Sequence, residues 1–363
     1  MLEQLGARAR QAASPIVDRW TGFAAKVASR VDAIFAEATE GIDALLSIAP
    51  TDAASLGSAF SGVESRLKDL EMKVEHSVDK LSDDWDEATD DLEVSDADQA
   101  LLRLTWSWIV NESRRVSREI EQRRELWVIR KSADWARAVY VVAQAEWNRT
   151  HSCAQCGAPL QVAIRHASSN LACASCGGVN EIAVGMASGM YFQGNGVHSL
   201  ASEAASQHWL SEWQHEHWFN SLRHPTDADR ERYLAAARGR WLAYYHCYAQ
   251  LHPGFSQSVE QAADAKMAHY KTWDWTSETR ERRLVGKIVA LAAARDRAGL
   301  VATIQAAGRA DLDDLVCAVH ERRDRDGAAL MLDIQHQLQG EDEPKNAWIN
   351  EKLAELDADL ANR

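Results

Sequence analysis

The chain has 363 residues, with 40 basic against 54 acidic side chains and a formal net charge of −14. That length holds two or three domains with a sizeable core, while the charge argues against general attraction to nucleic acid or anionic membrane. No stretch approaches the roughly 20 apolar residues of a membrane span, and Met1-Leu2-Glu3-Gln4 lacks the basic start and apolar run of a signal peptide, so a reducing cytoplasm is the expected compartment.

Six prolines and few runs rich in Val, Ile or Thr predict a mainly α fold. Ile16, Trp20, Phe23, Val27, Val31, Ile34, Ala38, Ile42 and Leu45 recur at steps of three and four. That spacing is one amphipathic helix of about 30 residues. Membrane-surface helices share this pattern but are normally more basic, so a bundle helix is the favoured reading. Pro50, Thr51, Asp52 and Gly57 mark a turn.

A second helix is expected over 58–93, with a coiled-coil-like seam of Val63, Leu67, Leu70, Val74, Val78 (or Ser77), Leu81, Trp85, Ala88 and Leu92. Its end is acidic, from Asp83 and Asp84 through Asp91 and Glu93 to Asp96 and Asp98. The run reads as a solvated face, since a calcium loop needs a glycine and a ligand spacing that it lacks. Ser95 with Asp98 opens a third helix, expected to run unbroken to about Asn148. Its middle carries Arg114, Arg115, Arg118, Arg123, Arg124, Arg130 and Lys131. These bases are expected to pair with the acidic run of the second helix in an antiparallel bundle, with phosphate binding as the alternative. Long helices joined by short turns predict an elongated bundle or coiled coil, an arm for a protein partner or for self-assembly.

The chemistry is concentrated in 151–181, HSCAQCGAPLQVAIRHASSNLACASCGGVNE. It holds two Cys-x-x-Cys-Gly units, at Cys153, Cys156 and Gly157 and at Cys173, Cys176 and Gly177. Each pair can aim two sulfurs at one centre, and two pairs complete the tetrahedron that Zn²⁺ favours in closed structural sites. The glycines suit a turn with positive φ. Two disulfides and an iron site are the other readings, and the missing secretory signal counts against the first. Leu160–Ile164 and Ser168–Ala172 are expected to form a hairpin around His166-Ala167, with 179–184 as a third strand. The stretch resembles the zinc-ribbon family over about residues 150–185. On that resemblance Cys153, Cys156, Cys173 and Cys176 are the ligands of one zinc ion. Zinc ribbons serve many functions, so the resemblance implies a metal and a local fold rather than an activity.

Gly185, Gly189, Gly194 and Gly196 then mark a hinge or a tight buried loop, without the Gly-Lys-Ser/Thr ending of a phosphate loop. A helix is expected over 199–222. It places His208, Glu212 and His215 on one face, with the Glu-x-x-His spacing of carboxylate-bridged metal sites. A di-metal site needs more carboxylates, so an aromatic packing face with hydrogen-bonded histidines is the plainer reading. Pro225-Thr226-Asp227-Ala228-Asp229 opens another helix, which His252-Pro253-Gly254 ends. The remainder reads as short helices with no fixed repeat period. Cys247 and Cys317 lie in apolar helical contexts as buried free thiols.

The expected organisation is a long-helix arm over 1–149, a small β zinc ribbon over 150–185 and a Trp/His-rich multi-helix domain over 186–363. No Gly-x-Ser-x-Gly or His-Glu-x-x-His occurs, and His166 reads as a turn residue rather than a base. The leading expectation is therefore a non-enzymatic structural or adaptor protein that acts through protein–protein interaction, with zinc joining two helical parts. A helical metalloenzyme using His208, Glu212 and His215, a nucleic-acid-binding ribbon protein and a membrane-associated helix protein are the alternatives.

Overall fold

The period-3.6 pattern of the first 150 residues becomes three long helices in the computed structural model, which describes residues 2–163, 165–222, 225–271, 280–308, 312–339 and 345–361. After a short 3-10 turn (Leu2–Gln4) come α1 (Ala7–Ile48), α2 (Ala53–Thr89) and α3 (Asp96–Trp147). α1 begins earlier than the apolar spacing implies and carries Pro15 within it. Ala9 and Ala13 extend its buried stripe, which runs on through Ile16, Trp20, Val27, Val31, Ile34 and Ile42.

Side-chain pairs fix the directions. Arg19 pairs with Asp84 and Arg66 with Glu37, so α1 and α2 run antiparallel. Between α1 and α3 the partners keep an offset of 88 to 92 residues, from Asp98 and Gly6 to Lys131 and Asp43, so these helices run parallel. Val63, Leu67, Val74, Leu81, Ile109 and Ile120 fill the space between the three.

α2 stops before the expected end. Its acidic C-terminal turns oppose the helix macrodipole, while Asp96 and Asp98 sit favourably in the first turn of α3. The Ser95 hydroxyl accepts from Asp98 N at 3.1 Å and caps that turn.

α3 spans 52 residues, about 78 Å at 1.5 Å per residue, and outlasts the α1–α2 hairpin. Beyond Trp127 and Trp135, which close the hairpin turn through Thr39 and the Pro50 carbonyl, it packs on the second half of the molecule. Val139 and Ala143 meet α4 (Met186–Phe192) and α5 (Gly196–Ala204) through Ala187, Tyr191 and Val197. Glu146 accepts from the Ala187 and Ser188 N–H groups at 3.1 and 3.0 Å and caps α4. The glycine-rich segment is not one loop: Gly185 is the N-cap of α4, Gly189 lies within that helix, and only 193–195 turn tightly into α5, where a Cβ on Gly196 would lie 2.7 Å from Tyr191 Cα.

The expected helix over 199–222 is two helices, α5 and α6 (Ser206–Ser221), broken at Ala205. α7 (Asp227–Leu251) opens with a reciprocal Thr226–Asp229 capping box. α8 (Val259–Lys271), α9 (Arg280–Ala293), α10 (Arg297–Ala307), α11 (Asp313–His320), α12 (Arg325–Gln339) and α13 (Lys345–Ala361) follow. Trp273-Asp274-Trp275 and Thr276 lie outside the described residues. Cys247 and Cys317 are half-buried rather than buried.

A five-residue pattern recurs in this last part: Arg295-Asp296-Arg297-Ala298-Gly299 joins α9 to α10, and Arg323-Asp324-Arg325-Asp326-Gly327 joins α11 to α12. In both, the first arginine is left-handed, at φ 57° and 60°. In both, the aspartate accepts from the glycine N–H at 2.9 Å and caps the next helix. Arg295 then forks onto Asp324, at 2.6 and 2.8 Å, and ties one hairpin to the next. The recurrence is local, which is why no fixed period marks it.

Candidate metal centre

The β structure between α3 and α4 is built around the two Cys-x-x-Cys-Gly turns. β1 (His151–Ser152) pairs with β2 (Pro159–Leu160), and β3 (Ser169–Ala172) with β4 (Val179–Ile182), both antiparallel. This corrects the expected hairpin around His166-Ala167. Each cysteine turn is itself the hairpin turn, so the strand entering a turn pairs with the strand leaving it. Ile164 lies outside the described residues.

The two turns share one geometry. Cys153 N donates to Ala158 O and Cys173 N to Gly178 O, both at 2.8 Å. Gly157 N and Gly177 N close the turns onto the first cysteine carbonyls at 2.9 and 2.8 Å. These glycines have φ of 73° and 74°, a region where a Cβ is strained.

Face to face, the turns gather four sulfurs, all within 4.8 Å of one another. Cys153 and Cys176 are 3.6 Å apart at sulfur, and Cys156 and Cys173 are 3.7 Å apart. A tetrahedral ion with metal–sulfur bonds of about 2.3 Å requires sulfur–sulfur edges of about 3.8 Å. A disulfide requires about 2.05 Å, so the cysteines are free thiols in this geometry. The donor set fits a thiophilic ion, and the cluster can hold one metal.

Electrostatics support thiolate at the inner pair. Backbone N–H groups of Cys156 and Gln155 aim at the Cys153 sulfur and bring its pKa down to about 6. Those of Cys176 and Ser175 lower Cys173 in the same way. Cys176 also receives a backbone N–H, from Gly178, but hydrogen bonding with the Cys156 and Cys153 sulfurs pushes it up to about 12. One compact site cannot hold four bare thiolates without a cation.

One residue of the centre was not apparent from the cysteine pattern. Asn180, on β4, is buried and crosses from the second turn to the first. Its amide accepts from Ala154 N at 2.9 Å, donates to Gly178 O at 3.0 Å and points a second donor at the Cys153 sulfur, 3.5 Å away. The equivalent place in the first hairpin is Leu160. A polar residue where its counterpart is apolar is the signal that could have found it.

The loop between the hairpins docks onto the helices. Arg165 lies over the Trp147 ring at 5.7 Å, His166 meets Phe192 and His252 edge-on, and Gln193 donates to the His166 carbonyl at 2.9 Å. His166 is thus a packing residue. Because α3 also packs directly on α4 and α5, the ribbon is not the sole connection between the helical parts.

The other sequence candidates do not converge on a ligand. Glu212 is buried, accepting from Arg240 at 2.9 Å and from the Tyr270 hydroxyl at 2.6 Å. His215 is engaged with its own helix at Ser211 O. Among the described residues the four cysteines are the cluster suited to a metal, and the His208, Glu212, His215 face is not.

Four bases of α3 are neutralised from within, by acids outside the acidic run. Arg123 pairs with Asp32, Arg124 with Glu71, Lys131 with Asp43 and Asp134, and Arg115 with Glu112 and Glu119. The register sets Arg123, Arg124 and Lys131 beside α1 and α2, while Arg115 pairs along α3 itself. The apolar face of α1 is spent in the bundle core, and no described helix is long and apolar enough to cross a membrane. No family model, curated protein or solved structure matches the chain, so its functional reading rests on its own residues.

Proposed function

We propose that the chain is a non-enzymatic structural or adaptor protein whose zinc-ribbon-like element binds one Zn²⁺ through Cys153, Cys156, Cys173 and Cys176. The observation that carries this is the four-sulfur cluster itself. Its edges of 3.6 and 3.7 Å suit a tetrahedral ion, and four thiolates leave such an ion no open position for substrate. The ion's part is to fold the ribbon: Leu160, Ala158 and Ile182 are nearly all the apolar packing that the element has, and in so small a unit metal-binding free energy is folding free energy. The folded ribbon then presents the loop that seats on Trp147, Phe192 and His252. The elongated α1–α3 bundle supplies the surface for a protein partner or a second copy.

Metal analysis of the purified chain tests the centre: one tightly bound zinc per chain, lost in Cys173→Ser, is the expected result. Stoichiometric iron, or a Cys173→Ser chain with unchanged metal content, refutes it. Light scattering coupled to gel filtration tests self-assembly, and a strict monomer shifts the adaptor role to partners of other sequence.

A further inference from the structure

A second candidate site lies far from the ribbon along the chain, where α3, α6, α7 and the α11–α12 turn meet. They enclose a cleft of about 640 Å³, within the size range of small-molecule sites. Arg118 of α3, Arg232 of α7 and Arg323 of the turn line it, beside Trp213 and Trp218 of α6. Such a concentration of guanidinium groups is notable in a chain of net charge −14.

What these arginines lack is as informative as where they are. Arg322, in the same cleft, is neutralised by Asp229 at 2.5 Å and Glu321 at 3.9 Å. Arg118 bonds only weakly to its own helix, at Arg114 O, 3.3 Å away. Arg232 lies over the Trp218 ring at 4.9 Å. No carboxylate among the described residues pairs with Arg118, Arg232 or Arg323. Arg323 has an internal standard of comparison. Its counterpart in the recurring Arg-Asp turn, Arg295, holds the same left-handed backbone and grips the Asp324 carboxylate with both arms of its fork. Arg323 is posed alike and opens onto the cleft instead.

The geometry points to a nucleotide as the ligand of this cleft, with its phosphates on Arg118, Arg232 and Arg323 and its base against the tryptophan wall. Guanidinium forks match phosphate oxygens, and a base stacks on an aromatic ring with little regard to its identity. This site is independent of the cysteine cluster, and either reading can fail without the other.

Isothermal titration of the full chain with ADP and ATP at low salt tests it. One nucleotide should bind per chain, more weakly as salt rises. Adenosine alone and inorganic phosphate alone should each bind at least about tenfold more weakly, because each offers half of the contacts. Arg118→Ala and Arg323→Gly should each weaken nucleotide binding by about tenfold or more. Arg118 and Arg323 are both exposed, and glycine relaxes the left-handed backbone at 323, so both variants should keep the parent's circular dichroism and melting temperature. Trp218→Leu should weaken nucleotide more than inorganic phosphate. The inference is overturned by any of three results: no binding at about 1 mM nucleotide, equal binding by the Arg118→Ala and Arg323→Gly variants, or phosphate alone binding as tightly as nucleotide. Binding of single-stranded oligonucleotides without mononucleotides overturns it too, in favour of a polymer surface.

Discussion

Asn180 offers the sharpest test of the metal centre, because no zinc-ligand pattern requires it. Asn180→Ala removes the acceptor for Ala154 N and the donor to Gly178 O, at 2.9 and 3.0 Å, together with the longer contact to the Cys153 sulfur. Ala154 is exposed, so water replaces part of what is lost there. Two ordinary hydrogen bonds at about 1 kcal/mol each give about 2 kcal/mol. If binding and folding of the ribbon are one process, this appears as about a 30-fold loss of metal affinity, within the 10- to 100-fold range for groups that orient ligands. Competition against a chromophoric chelator at fixed pH measures it, with far-ultraviolet circular dichroism to show that the helices are intact. Asn180→Asp keeps the acceptor, loses the donors and sets a carboxylate beside thiolate sulfur, so it should bind more weakly than Asn180→Ala. An Asn180→Ala chain within about twofold of the parent would refute the reasoning, since so small a change leaves no room for even one net hydrogen bond.

Cys173→Ser, or chelation of the metal, should expose 151–182 to proteases while the helical signal persists and the two helical parts stay docked, because the Trp147–Ser188 and Glu146–α4 bonds do not pass through the ribbon; collapse of the helical dichroism would make the ribbon the folding nucleus instead. Burial works against ionised Glu146, but N–H donors from Ser188 and Ala187 outweigh it and hold its carboxyl below the usual 4.5. A depressed folded pKa gives stabilisation that is present above the unfolded value and lost as pH falls through the folded one, so the α4 dock should loosen as pH falls below the usual carboxyl value. Tryptophan fluorescence should report that step, and Glu146→Gln should lack it. Trp20 is fully buried with its indole N–H unpaired among the described residues. Trp20→Ala should therefore destabilise by about 3–5 kcal/mol in denaturant titration. Trp20→Phe should cost much less, since it also removes an unsatisfied donor; equal costs would place a hidden partner on that nitrogen.

The long helices were legible because a buried stripe at period 3.6 persists over many turns, and Ser95 with Asp98 marked the start of α3 correctly. Their registry was not legible. Arg123, Arg124 and Lys131 meet single acids along α1 and α2, not the nearest block of negative charge in sequence, 83–98. The cysteine cluster was legible for a different reason: two short turns with the same residues in the same order need no long-range information. The strand pairing was misassigned because Leu160–Ile164 and Ser168–Ala172 flank His166-Ala167 like the arms of a hairpin, while the pairing is decided by the cysteine turns that precede and follow them. The Glu212-x-x-His215 spacing was real but uninformative. A carboxylate on a helix takes whichever partners the fold brings, and here these are Arg240 from α7 and Tyr270 from α8.

α3 explains why the molecule can carry two unrelated sites. It takes part in the N-terminal core at Ile109 and Ile120, and in the α4–α5 core at Val139 and Ala143. It also sends Arg118 into the cleft beside α6. A helix with one such face per neighbour has no single hydrophobic stripe, and its polar residues must be sorted between ion pairs inside the bundle and groups left facing solvent. Asp32, Glu71 and Asp43 take Arg123, Arg124 and Lys131. Arg118 is displaced from these pairs by its position on the helix, not by its chemistry. The same basic stretch therefore yields internal clamps at Arg123, Arg124 and Lys131 and a cleft-lining arginine at 118. Composition alone could not separate these outcomes, because they differ only in which helix happens to lie opposite.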